Sequence, residues 1–151
     1  MAQSGGAVHD QDMSMNVLIV DDSPTVRSSL RWLLRCIKGV GVVREAGTLS
    51  DALDGARRDP PAVLILDLHL PDGLGDGVLQ TLKQLAPEMR IAVFSLHADS
   101  SNQQQCLALG ADWFFDKTTQ TDALLDRLLL EVQHFAPTGS DLMDPNPEKT
   151  P

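Results

Sequence analysis

Cysteine is scarce in this 151-residue chain, basic residues are outnumbered, and no long apolar run occurs. Each shortage removes a class of function. Cys36 and Cys106 are the only cysteines, and each lies inside an apolar helical pattern rather than in a C-x-x-C pair or a disulfide framework. Both read as buried, reduced thiols of a cytoplasmic protein. Lys and Arg number 12 against 21 Asp and Glu, for a formal net charge of −9. That balance opposes non-specific binding to DNA, RNA or anionic membranes, because nothing offsets phosphate charge over the surface as a whole. No apolar stretch approaches the length needed to cross a bilayer, and the start MAQSGGAVHDQDMSM lacks the basic-then-apolar order of a secretion signal. The expectation is a cytoplasmic protein with no membrane segment and no direct nucleic-acid contact.

What is present suits one ordinary domain with a single apolar core, at a hydrophobic content of 42%. Residues 1–14 and 136–151 are rich in Gly, Ser, Asp and Pro, so both are expected to be flexible, the second as a Pro-rich acidic tail. Between them, over 15–135, short β-rich runs alternate with helical patterns, the signature of a parallel sheet with helices on both faces. Strands are expected at Asn16–Val20, Val40–Arg44, Ala62–Leu66, Arg90–Phe94 and Trp113–Phe115. The first, third and fourth are nearly continuous apolar runs, as buried parallel strands require. In the first helix Ser23 is placed to cap, Pro24 suits the first turn, and Val26, Leu30, Leu33, Leu34 and Ile37 form the inward stripe. Further helices are expected at Leu49–Arg58, Asp76–Leu85, Asn102–Leu109 and Gln120–Phe135.

Polar residues then fall in equivalent places. Asp21 and Asp22 follow strand one, Asp67 follows strand three, Ser95 strand four and Lys117 strand five. In an open parallel sheet those strand ends share one edge, where ligands bind at the reversal of strand order. Alone, each residue reads as a turn former, a cap or a solvated charge; together they describe one site. Three carboxylates beside an ammonium suggest a divalent cation held by oxygen, and Mg2+ fits best because it accepts one or two carboxylates, keeps waters and completes its shell with phosphate oxygens.

These residues carry a resemblance. The segments VLIVDDSP, VLILDLHLPDG, IAVFSLHAD and GADWFFDK, in that order, make the chain from Met15 to Phe135 similar to a receiver domain of the two-component response-regulator family. The resemblance implies a flavodoxin-like α/β fold, (βα)5 with strand order 2-1-3-4-5. It implies that Asp67 is the phosphoacceptor, taking a phosphoryl group from a sensor histidine kinase or a histidine phosphotransfer protein. It also implies Mg2+, for which Mn2+ can substitute, on Asp22, on Asp21 directly or through water, on Asp67 and on the carbonyl of His69. Lys117 and the Ser95 hydroxyl would meet phosphoryl oxygens, and Ser95 with Phe114 would form the switch read by a downstream protein partner. Catalysis would be limited to self-phosphorylation and self-dephosphorylation. A homodimer through the face of helices four and five is a further family habit.

Departures and alternatives stay open at this level. Thr118 follows Lys117 where the family usually has Pro, so the bond is either trans with an altered loop or cis with strain, since a cis form costs about 3 kcal/mol. Leu96 stands where a small residue is commoner and would narrow access to Asp67. His69 and His97, two residues beyond Asp67 and Ser95, are either exposed loop histidines, tuners of dephosphorylation, or, together with Asp67, ligands of a transition metal. Arg27, Arg31, Arg35 and Lys38 form either a solvated helix face or the docking stripe for a kinase. A haloacid-dehalogenase-type Asp phosphatase is the rival enzyme, although it needs a second Asp where His69 stands. A flavodoxin-like nucleotide module is another rival, although its first loop would offer amides rather than carboxylates. The chain is expected to be a stand-alone receiver, with the receiver portion of a longer DNA-binding regulator as the alternative.

Overall fold

The computed structural model describes residues 14–135; the tails expected at 1–14 and 136–151 lie outside them, Ser14 excepted. Five parallel strands form one sheet: β1 (Met15–Val20), β2 (Val40–Ala46), β3 (Val63–Leu66), β4 (Arg90–Ser95) and β5 (Trp113–Asp116), in the order β2-β1-β3-β4-β5. That is the 2-1-3-4-5 order implied by the resemblance. Helices α1 (Pro24–Arg35), α2 (Leu49–Arg58), α3 (Leu79–Leu85), α4 (Ser100–Ala108) and α5 (Thr121–Phe135) connect and follow them.

The strands' composition explains the layers. Successive strand side chains point to opposite faces, so Val17 and Ile19 of β1 pack with Leu30, Leu34, Leu124 and Leu128 of α1 and α5. Leu18 and Val20 face the other way, toward Ala52, Leu79, Leu82 and Cys106 of α2, α3 and α4. Because both faces are covered, β3 is apolar and buried at every position. The helix starts are fixed by side chains. Val26 N donates to Ser23 Oγ at 3.2 Å, Asp51 N to Thr48 Oγ1 at 3.1 Å, and Asn102 N to Asp99 Oδ1 at 2.8 Å.

Several boundaries differ from expectation for identifiable reasons. β4 and β5 run one residue further, to Ser95 and Asp116, and β2 reaches Ala46. The third helix, expected to begin at Asp76, instead opens with a 3-10 turn over Gly75–Val78, because two glycines give little helical preference. A short antiparallel hairpin, His69–Leu70 with Gly73–Leu74, precedes it. The fourth helix starts early because Asp99 caps it.

Cys36 corrects an expectation: it is exposed, while Cys106 is buried. At 100° per residue, the stripe through Leu30, Leu34 and Ile37 leaves position 36 off the inward face. Lys117–Thr118 is trans, since no cis peptide occurs among the described residues.

Candidate functional site

The strand ends bring the expected residues to one edge. Asp21, the first residue after β1, is buried, as are Asp67 after β3 and Ser95 at the end of β4; Asp22 is exposed. Oxygen atoms of Asp21, Asp22 and Asp67 all lie within 4.8 Å of one another. Lys117 enters from the end of β5 and places Nζ 2.6 Å from Asp21 Oδ2 and 3.2 Å from Asp67 Oδ2. Its ammonium offsets the repulsion of the two buried carboxylates, while Asp22 lies exposed to solvent.

Titration reflects that crowding. Burial pushes the Asp67 carboxyl above its ordinary range, Lys117 pulls it back down, and the Asp21 charge raises it again; the net direction is up. For Lys117 burial acts to lower the pKa, but the hydrogen bond to Asp21 and both carboxylate charges outweigh it, so its ammonium is held above the ordinary lysine value.

Backbone contacts hold the cradle's shape. Asp67 N donates to the Val20 carbonyl at 2.9 Å, Asp21 N to that of Ala46 at 3.0 Å, and Lys117 N to that of Ser95 at 2.9 Å, so the ends of β2, β1 and β3 are tied together, as are those of β4 and β5. The Ser95 hydroxyl accepts from His97 N at 3.0 Å, which leaves its own proton available for donation. The side-chain donors of the cradle are all carboxylate oxygens, the chemistry that suits a hard divalent ion such as Mg2+ and not a soft one.

Residues 17–129 match the family described as the response regulator receiver domain. The chain belongs to this family. Among curated relatives, it is 40% identical over 119 residues to the transcriptional regulatory protein KdpE of Mycobacterium tuberculosis (strain ATCC 25618 / H37Rv), covering 78% of this chain and 50% of that protein. The chain spans about half the length of the curated relatives it matches. Among solved structures, a LuxR-family two-component response regulator from Aurantimonas sp. SI85-9A1 superposes with a TM-score of 0.73 at 26% identity, covering 80% of this chain and 86% of that one. A response regulator protein from Burkholderia pseudomallei, solved with a phosphorylated aspartic acid, calcium ion and citrate, gives a TM-score of 0.69 at 27% identity, over 87% of this chain and 76% of that one.

Receiver domains bind Mg2+ at a cluster of aspartates, and this receiver has such a group in Asp21, Asp22 and Asp67. Receiver domains of response regulators also interact with histidine kinases. Among the described residues no helix is long and apolar enough to cross a membrane.

The remaining sequence candidates sit around this receiver's cradle. His69 and His97 are exposed and face each other, with ring centroids 3.8 Å apart. Leu96 is 61% exposed. Phe114 is half-buried and packs against the core on the α2–α4 face. The basic stripe divides: Arg27 and Arg31 both reach Glu45 of β2, at 2.9 and 2.6 Å, while Arg35 and Lys38 are exposed.

Three supporting residues, Asp116, Asp72 and Gly75, were not singled out in the sequence, and Arg27 was singled out only as part of the basic stripe. Arg27 Nη1 donates to the Asp21 carbonyl at 2.6 Å, fixing the acidic turn from α1. Asp116 accepts from Thr118 N and Thr118 Oγ1 at 2.8 and 2.6 Å, a closed turn that presents Lys117 without a proline. Asp72 accepts from Leu49 N and Ser50 N at 2.8 and 3.0 Å, joining the loop after Asp67 to the start of α2. At Gly75 a Cβ would stand 2.7 Å from the Asp67 carbonyl oxygen, so the chain passes there only without a side chain. The glycine in PDGLG was visible in the sequence; its contact was not.

Proposed function

We propose that this receiver domain takes a phosphoryl group onto Asp67 from the phosphohistidine of a sensor histidine kinase or a histidine phosphotransfer protein, and signals by conformational switching to a protein partner. The observation that carries this is the convergence of Asp67 with two further carboxylates and the Lys117 ammonium at the strand-end edge. Phosphoryl transfer asks the protein mainly for positioning and charge neutralisation, which is what the cradle offers. A carboxylate oxygen of Asp67 forms the new O–P bond as the P–N bond of the donor breaks, and the departing imidazole takes up a proton from solvent.

Asp21, Asp22, Asp67 and the His69 carbonyl would hold Mg2+, or Mn2+ in its place. The ion would supply positive charge opposite the phosphoryl oxygens. Lys117 neutralises a second oxygen, and the Ser95 hydroxyl donates to a third. The same geometry supports slow water attack on the acyl phosphate, so the chemistry is confined to the domain's own modification. Movement of Ser95 toward the phosphoryl group vacates space for Phe114 to turn inward; lacking a hydroxyl, Phe114 signals by burial.

The exposed Trp32, Arg35 and Lys38 on and just after α1 supply the docking face for the donor. A groove of about 450 Å3 lined by Leu107, Phe114, Arg127 and Leu130 between α4, β5 and α5 supports the homodimer or partner contact on that face. A second reading, output through a longer DNA-binding regulator, is favoured by one fact: the matched relatives include transcriptional regulators of which the chain spans about half.

Incubation with acetyl phosphate and Mg2+ followed by mass spectrometry tests the main reading. One added phosphoryl group is expected on the parent and none on Asp67→Asn. Equal modification of both, or none on the parent, overturns it.

A further inference from the structure

We propose that His69 and His97 form a second cation site, for a borderline divalent transition ion such as Zn2+, on the rim of the acidic cradle and distinct from it. The two imidazoles come from different loops, His69 from the segment after β3 and His97 from the segment after β4. Their rings meet at a centroid distance of 3.8 Å with planes tilted by 40°, and both residues are exposed. Ion binding turns both exposed side chains about χ1 and χ2 out of this stacked contact, so that one in-plane nitrogen lone pair of each ring faces a shared ion.

The backbones beneath the rings are already fixed. His97 N donates to Ser95 Oγ at 3.0 Å, and the His97 carbonyl accepts from Asn102 Nδ2 at 3.0 Å. His69 is paired with Leu74 in the short hairpin. The ring nitrogens, in contrast, make no hydrogen bond and no ion pair among the described residues. With the backbones anchored and the ring nitrogens without partners, an ion has only side-chain torsions to order and no existing hydrogen bond to displace.

Ligand chemistry separates this site from the cradle. Imidazole nitrogen suits Zn2+, Ni2+ or Cu2+, whereas carboxylate oxygen suits Mg2+. Among the described residues the only group of three close metal-ligating side chains is Asp21, Asp22 and Asp67, so the imidazole pair supplies two donors and water completes the shell. The site is therefore exchangeable rather than structural. An ion held there ties the loop after β3 to the loop after β4, the two segments that flank Asp67 and Ser95.

Calorimetric titration of Zn2+ into the full chain, with Mg2+ in excess, tests the proposal without relying on Asp67 as phosphoacceptor. One binding event is expected in the parent. His69→Ala and His97→Ala should each weaken it by at least about ten-fold, the scale of loss when a metal's ligand environment is broken. His134→Ala and Asp67→Asn should leave it unchanged. Thermal melts confirm that the variants fold, and His69→Gln and His97→Gln repeat the measurement with polar side chains. Absence of binding in the parent, retention in either His69 or His97 variant, or loss in Asp67→Asn would overturn the assignment.

Discussion

Replacing Lys117 with Met removes the one positive charge seen between two buried carboxylates. At an effective dielectric near 20, contacts of 2.6 and 3.2 Å correspond to about 6 and 5 kcal/mol of Coulomb attraction before desolvation. Burying the ammonium and both carboxylates consumes most of that. The net cost of removing one partner from a buried ion pair is about 3–5 kcal/mol, since Asp21 and Asp67 then face each other uncompensated. For a domain of this size the melting temperature should fall by roughly 10–15 °C. Mg2+ should raise the melting temperature more in Lys117→Met than in the parent, because an ion on those carboxylates restores the missing charge. Acid should narrow the gap. With Lys117 gone the Asp67 carboxyl, already raised by burial, loses the charge that pulls it back down, so the folded state binds the extra proton and the penalty disappears as pH falls. Differential scanning fluorimetry across pH, with and without Mg2+, reads all three effects. A fall below about 3 °C, the shift of a single kcal/mol, or equal Mg2+ increments in both proteins, would refute the reasoning.

Gly75→Ala places a Cβ 2.7 Å from the Asp67 carbonyl and should cost about 1–3 kcal/mol of stability with a drop in acetyl phosphate reactivity, whereas Gly77→Ala, with open space around it, should leave both intact; denaturant melts and mass spectrometry compare them. Because burial holds the Asp67 carboxyl above its ordinary range, its reactive ionised form should be lost on acidification earlier than a free aspartate would lose it, and the rate of acetyl phosphate modification against pH shows this as an acid limb displaced upward. On the alkaline side, the raised Lys117 ammonium contributes stability that is complete below the ordinary lysine value and fades only as pH rises through the higher folded one, which alkaline melts measure. Native alkylation should modify Cys36 alone, because Cys106 is buried with its thiol pushed up to about 11; labelling of both at similar rates contradicts the packing.

The strands and the placement of Asp21, Asp22, Asp67, Ser95 and Lys117 were legible in the chain because they follow from short-range rules, whereas the strand order came only from the family resemblance of the motifs. Apolar runs of four to six residues, such as VLIL at β3, demand burial on both faces, and a parallel sheet then delivers its strand ends to one edge whatever the helices do. The Ser23 and Thr48 caps are equally local. Helix three was mislocated at its start because Gly75 and Gly77 weaken a pattern that their apolar neighbours suggest, and Cys36 was misplaced because an apolar residue near a stripe need not lie on it.

What only the tertiary structure decided is how the acidic edge is held. Arg27 reaches the Asp21 carbonyl and Glu45 across two elements, Asp72 caps α2 from 23 and 22 positions away, and the rings of His69 and His97 meet from separate loops. Composition and periodicity report which side chains leave water and which backbone conformation they favour. They carry no record of which polar atoms arrive within 3 Å of each other once the sheet has closed, because a hydrogen bond's worth depends on the final positions of both partners.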